Sequence, residues 1–166
     1  MVNVVTNCLK QMRIPFRLQE HPAVFTMAEA AEQCLMEGCI VPKNLFLKEK
    51  KGDRRFLVTA KDEGAVDLNE LRKALSAKEL TFCTEEELKE YLGLAKGSAT
   101  PFGIVNDDEK RVEYVIDRKL NGEKPLGLHP NVNTATAWLS YDGLIRFLGY
   151  FDHTVHEVDV PLKNHI

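Results

Sequence analysis

Much that would place this 166-residue chain in a membrane is missing from it. No apolar run approaches the roughly 20 residues a membrane-spanning helix needs. The opening MVNVVTNCLKQMR has no basic stretch leading into an apolar one, which predicts no secretory signal. The closing VPLKNHI carries no lipidation motif. Cysteine is scarce. Cys8, Cys34, Cys39 and Cys83 include no CxxC pair, and the Cys34–Cys39 interval suits no common zinc site. That predicts reduced, structural thiols in a cytoplasmic protein. A surplus of positive charge is also missing. Lys plus Arg number 22 against 25 Asp plus Glu, for a net charge of −3. Proteins that grip long nucleic acid through phosphates carry a basic excess. DNA is therefore not an expected partner, and an RNA would be gripped over a small part only. No Walker loop, GxGxxG, HExxH or GxSxG occurs. Neither a metal nor another cofactor is expected.

What remains is an ordinary globular composition, 44% apolar and 28% charged. A single domain over 1–166 is expected, large enough to bury roughly 70% of its unfolded surface. Apolar periodicity predicts helices over 3–12, 27–37, 68–76, 85–92 and 141–148. Start signals support four of them: Thr26 with Glu29, Asp67, Thr84 with Glu87, and Ser140. Strands are expected over 16–19, 44–48, Arg55–Ala60, 81–83, 103–106, Val112–Asp117, 133–139 and Val155–Val158. The polar turns EKKGD and DDEKR predict two hairpins, 44–48 with 55–60 and 103–106 with 112–117. With no regular βαβ rhythm, the expected class is α+β. It is a mixed, largely antiparallel sheet or partly open barrel surrounded by helices.

Three short segments stand out chemically. In VPKNLFL (41–47), strand alternation puts Lys43 on one face with Leu45 and Leu47. If the leucines face the core, Lys43 stands at its mouth; the plain alternative is a snorkelling lysine. In KGSATPFG (96–103), two glycines and a proline suit a loop that presents backbone N–H and C=O groups. A simple connection is the alternative. In LHPNVNTAT (128–136), Pro130 restrains the backbone of His129, and Asn133 and Thr134 add amide and hydroxyl groups. A turn entering a strand would read the same way. His21, His153 and His156 carry less signal, and the basic cluster at the first hairpin turn reads as a solvated end.

Four segments in order, EHPAVFTMAEAAE (20–32), KNLFLKEKKG (43–52), KGSATPFGIVND (96–107) and LHPNVNTATAWLS (128–140), resemble the freestanding prolyl-tRNA editing family. These are the YbaK/ProX-type aminoacyl-tRNA deacylases, and KNLFL with GSATPFG is most similar to the ProX branch acting on alanyl-tRNA(Pro). The resemblance covers nearly the whole chain. It implies an editing-domain fold and a hydrolase that clears mischarged tRNA, with tRNA as partner through its acylated CCA end and prolyl-tRNA synthetase as a second possible partner. Lys43 and Gly97 are the implied catalytic residues. Thr26, Asn44, Ser98, Ala99, Thr100, Pro101, His129 and Asn133 are the implied substrate-binding residues. Val41-Pro42 and Trp138 depart from the family's usual form. Other readings of the same scaffold are a non-catalytic aminoacyl-tRNA or synthetase-binding module, a deacylase for another mischarged tRNA such as cysteinyl-tRNA(Pro), and a small-molecule hydrolase or sensor.

Overall fold

The computed structural model describes residues 2–22, 38–95 and 97–163. The helix expected over 27–37 and the candidate Thr26 lie outside the described residues, as does Lys96.

Helices form where the sequence caps them. Helix α1 spans Val2–Gln11 and buries Val5 and Leu9. Helix α2, Leu68–Ala74, starts at Asp67, whose carboxylate accepts the N–H groups of Asn69 and Glu70. Helix α3, Glu85–Leu92, has a complete capping box between Thr84 and Glu87 and stops at Gly93, which is left-handed at φ 65°. Helix α4, Tyr141–Tyr150, follows Ser140, whose hydroxyl accepts the Gly143 N–H. Each cap satisfies first-turn donors that the helix itself leaves unpaired.

The described strands make two open sheets. Strands β1 (Arg17–Glu20), β2 (Lys43–Glu49), β3 (Arg55–Ala60), β4 (Leu80–Phe82), β5 (Val112–Asp117), β6 (Leu126–Leu128), β7 (Ala135–Leu139) and β8 (Val155–Val158) run in chain order. The larger sheet has the order β4-β2-β3-β5-β8 and the smaller one β1-β7-β6. β2 and β3 are the expected hairpin. The second expected hairpin does not form. Residues 103–106 belong to a 3-10 helix, Pro101–Asn106, whose Thr100 cap accepts the Phe102 N–H and whose first position is Pro101. Proline at a helix start and a threonine just ahead of it are strong start signals, and here they override the β-branched residues that follow. Strand β5 therefore has no hairpin partner before it and pairs in parallel with both β3 and β8. The three-residue strand β6 was not expected at all. The class is mixed α+β as expected, with open, largely antiparallel sheets in which four of the described strand pairings are antiparallel and two parallel.

The five-stranded sheet separates two cores. Phe56, Val58 and Ala60 of β3 join Leu47, Leu71 and Leu75 on the α2 side. Leu57, with Phe46 of β2 and Tyr114 and Ile116 of β5, faces the larger core. That core also takes Leu126 and Leu128 of β6, Ala137 and Leu139 of β7, and Phe102 and Ile104 of the 3-10 helix. It therefore clamps the smaller sheet and the 97–106 segment against one face of the larger sheet.

Candidate active site

Three local features define the candidate segments. The first is the approach to β2. Ile40 forms a parallel bridge with Leu126, its N–H donating to Pro125 O at 2.9 Å and its carbonyl accepting the Gly127 N–H at 2.8 Å. Lys43 and His129 each stand three residues beyond that bridge. The second is Asn131. It is left-handed at φ 65°, and its Nδ2 donates to Phe102 O at 3.2 Å, tying the 129–134 turn to the start of the 3-10 helix. Its Oδ1 is buried without a partner among the described residues. A strained backbone and an unmet buried acceptor together mark functional loops more often than structural ones. The third is the 97–101 loop itself. Gly97 is exposed and left-handed at φ 78°, a conformation that favours glycine. Ser98 is buried and donates its N–H to Ala95 O at 3.0 Å. Ala99 packs on the larger core, Thr100 is wholly buried, and Pro101 begins the 3-10 helix. The loop is held at both ends and short, which fixes the direction of its backbone groups.

His129 is the most defined chemical group of the site. Its Nδ1 lies 3.1 Å from Ala135 O, and a carbonyl can only accept, so Nδ1 carries the proton. In the neutral ring Nε2 then has the lone pair, and no partner for Nε2 occurs among the described residues. Burial pushes the His129 pKa below the ordinary histidine value. The bond to Ala135 O opposes this, and the nearby His21 ring adds to it. The site therefore holds a neutral imidazole whose Nε2 has no partner among the described residues.

Lys43 and Asn44 leave β2 on opposite faces. Asn44 Oδ1 accepts the Thr59 hydroxyl at 2.7 Å across the hairpin, on the face of the larger core. Lys43 shares its face with Leu45 and Leu47. Its ammonium donates to Gly64 O and lies 3.7 Å from the Asp62 carboxylate. Leu45 and Leu47 pack on the α2-side core, so Lys43 leaves β2 on the opposite face of the sheet from the core that holds the 97–106 segment. No hydrogen bond or ion pair among the described residues joins Lys43 to the 97–101 loop or to His129. Asn133 lies half-buried in the His129 turn.

His21 was passed over in the sequence and belongs here. Its ring stands 6.2 Å from that of His129, centroid to centroid. Its Nε2 is 2.8 Å from Thr136 Oγ1, a residue 115 positions away, which no local pattern could reveal. The other described histidines are engaged elsewhere: His153 with Asp107 and Phe151 O, His156 with Glu113. Among the described residues no group of three or more His, Cys, Asp or Glu is placed to hold a metal ion. Cys8 and Cys83 are free thiols. Burial, with the Glu87 charge beside it, pushes the Cys83 thiol up to about 12, which leaves it inert as a nucleophile at neutral pH.

Comparison with known proteins gives consistent results. The profile of the family described as "Aminoacyl-tRNA editing domain" matches residues 21–147. The "Prolyl-tRNA editing protein ProX" of Acetoanaerobium sticklandii is 34% identical over 152 residues, covering 92% of this chain and 93% of that protein. The "Prolyl-tRNA synthetase associated domain-containing protein 1" of Danio rerio is 37% identical over 148 residues, 88% of this chain and 80% of its own. A solved structure described provisionally as a trans-editing enzyme for prolyl tRNA synthetase superposes with a TM-score of 0.75. It covers 98% of this chain and 97% of its own at 20% identity, a likeness of fold.

Proposed function

The chain belongs to the aminoacyl-tRNA editing domain family, and from that premise we propose that this deacylase clears alanyl-tRNA(Pro), acting as one editing domain over residues 1–166. The observation that carries the reading is the neutral His129, its Nε2 without a partner among the described residues, tied through Asn131 and Phe102 to the rigid 97–101 loop.

An aminoacyl-tRNA ester is already activated, so its hydrolysis needs placement and charge stabilisation more than a protein nucleophile. The site supplies those two things, and among the described residues no thiol is placed in it. Water adds to the ester carbonyl, and the terminal ribose hydroxyl helps to orient it. His129 Nε2 accepts a hydrogen bond from the ribose hydroxyl or the α-ammonium. Backbone groups of Gly97, Ser98, Ala99, Thr100 and Pro101 hold the aminoacyl end, and Asn44 and Asn133 border it. Lys43 exchanges the Gly64 carbonyl for the CCA phosphate or for the negative charge that develops on the carbonyl oxygen. The tetrahedral intermediate then collapses, releasing the amino acid and free tRNA. Thr26 remains a candidate for the pocket on the family resemblance.

The specificity argument is one of size. A synthetase pocket built for proline discriminates against a few missing methylenes by only about 1–3 kcal/mol each. A second pocket that admits alanine and clashes with proline removes the error, since overfilling a packed site is costly. Ala99 and the buried Thr100 keep the loop tight against the core, which supports a small pocket. A net charge of −3 suits an enzyme that holds the CCA end only. The name of the zebrafish relative supports prolyl-tRNA synthetase as a partner. A cytoplasmic setting fits this role, and no helix among the described residues is long and apolar enough to cross a membrane. The test is deacylation of purified tRNA(Pro) charged separately with alanine, proline and cysteine. Rapid loss of alanine alone is the expected result.

A further inference from the structure

We infer that His21 is a positioning residue for His129, acting through Thr134, Ala135 and Thr136 to keep the His129 Nε2 lone pair directed at the substrate. The functional half of this inference rests on the deacylase reading above.

The geometry is a splint. Strand β1 ends with Glu20 opposite Ala135. His21 carries the pairing one step further, its N–H donating to Thr134 O at 2.9 Å. Its ring then turns back over β7 and meets Thr136 Oγ1 at 2.8 Å. His21 thus holds the residues on both sides of Ala135. The Ala135 carbonyl is the acceptor that fixes the proton of His129 on Nδ1. Register places Gln19, Thr136 and His129 on one row, with His21 two residues beyond Gln19. Gln19 faces Thr136 on β1, and Gly127 faces Trp138 on β6, so His129 comes level with Thr136. The two imidazoles stand on either side of that threonine, tilted 59° to each other.

Histidine suits this place better than another polar residue. Its Nδ1 lies 2.8 Å from Pro22 O, which fixes a proton there, and leaves Nε2 for the threonine. The Thr136 hydroxyl serves either ring form, donating to a bare Nε2 and accepting from a protonated one. Without the His21 side chain, Thr136 Oγ1 loses its partner while the backbone bond to Thr134 O remains, and the Ala135 carbonyl between them is held from one side only. His129 can then move its proton to Nε2, which removes the acceptor the substrate needs. Groups that orient a metal-bound histidine through its second nitrogen contribute about 10–100-fold in activity, and a loss of the same order is expected here.

The experiment has two arms on the full chain. Long-range 15N–1H NMR reads the tautomer of His129 in wild type, His21→Ala and His21→Gln, with the single tryptophan's emission confirming the fold. Single-turnover hydrolysis of alanyl-tRNA(Pro) is measured on the same proteins and on Thr136→Val. The expected result is the Nδ1–H tautomer in wild type and a mixture in His21→Ala. The maximal rate should fall about 10–100-fold in His21→Ala with an unchanged half-saturating enzyme concentration. His21→Gln, whose amide reaches Thr136, should recover most of the rate. Thr136→Val should add nothing to His21→Ala. A His21→Ala protein with the wild-type tautomer and rate overturns the inference, as do independent, additive losses at His21 and Thr136. A wild-type protein that hydrolyses no alanyl-tRNA(Pro) refutes the deacylase reading alone, and the tautomer arm still decides the positioning.

Discussion

Gly127→Ala tests the packing that supports the His129 turn. The Trp138 indole lies flat across the smaller sheet. Its Nε1 donates to Gln19 Oε1 on β1 at 3.1 Å, and its far edge covers Gly127 on β6. A methyl group on residue 127 would stand 2.6 Å from Cη2 and 2.8 Å from Cε3 of the ring, and nearer still to Cζ3. Carbon atoms settle at about 3.5–4.0 Å, so the ring must lift by roughly 1 Å. Trp138 is only 4% exposed, so little free space receives it. Overpacking of this kind costs about 1–3 kcal/mol. Drawing Nε1 off Gln19 adds about 1 kcal/mol. Removing a strand glycine returns roughly 0.5–1 kcal/mol. The net loss is about 1–3 kcal/mol. Urea unfolding followed by fluorescence reads it directly, because Trp138 is the only tryptophan in the chain. With a slope of roughly 2 kcal/mol/M, a 2 kcal/mol loss lowers the midpoint by about 1 M. In a Trp138→Leu background, followed by circular dichroism, the same Gly127→Ala change should cost far less. An unchanged midpoint in Gly127→Ala, or an equal loss in both backgrounds, refutes the reasoning.

Lys43→Ala should fold normally, because the β2–β3 ladder is carried by backbone groups, and should lose about 10²–10³ in single-turnover rate. A folded variant with near-wild-type rates contradicts the role given to the ammonium. The His129 pKa is lowered in the folded protein, by burial first, so the unfolded chain binds its proton at higher pH than the native one does. Stability therefore falls as pH drops below about 6.5, the unfolded value. Deacylation persists to a lower pH than an ordinary histidine would allow before its acid limb begins, and His129→Gln should remove that limb. Replacing Cys83 by serine should leave the hydrolytic step unchanged, since its thiol sits near 12. Treatment with a chelator should do the same, and a rate lost to chelator and restored by zinc would contradict the mechanism.

Local chemistry made the helices and the first hairpin legible. Asp67, Thr84 with Glu87, and Ser140 announce their helices because a cap is a bond between near neighbours. The 103–106 segment misled because Ile104 and Val105 suggest a strand, while the decisive bonds come from Thr100 and Pro101 just upstream. Parallel pairing of β5 with β3 and β8 joins residues 41 or more positions apart in register, such as Tyr114 with Val155 and Phe56 with Glu113, and leaves no mark on a local window. β6 is three residues with a glycine at its centre, too short to alternate visibly. At the site, Lys43, the 97–101 loop and His129 were visible as unusual segments. His21 and Asn131 were not, because their value lies in contacts with Thr136 and Phe102 that only the fold creates.

The central claim is that the pocket beside His129 and the 97–101 loop hydrolyses a small aminoacyl ester and rejects proline. Single-turnover rates on tRNA(Pro) charged with alanine and with proline, at one enzyme concentration, test it most directly. The account predicts fast release of alanine and prolyl-tRNA(Pro) that decays no faster than it does without enzyme. Equal rates on the two esters, or preference for cysteinyl-tRNA(Pro), would contradict it.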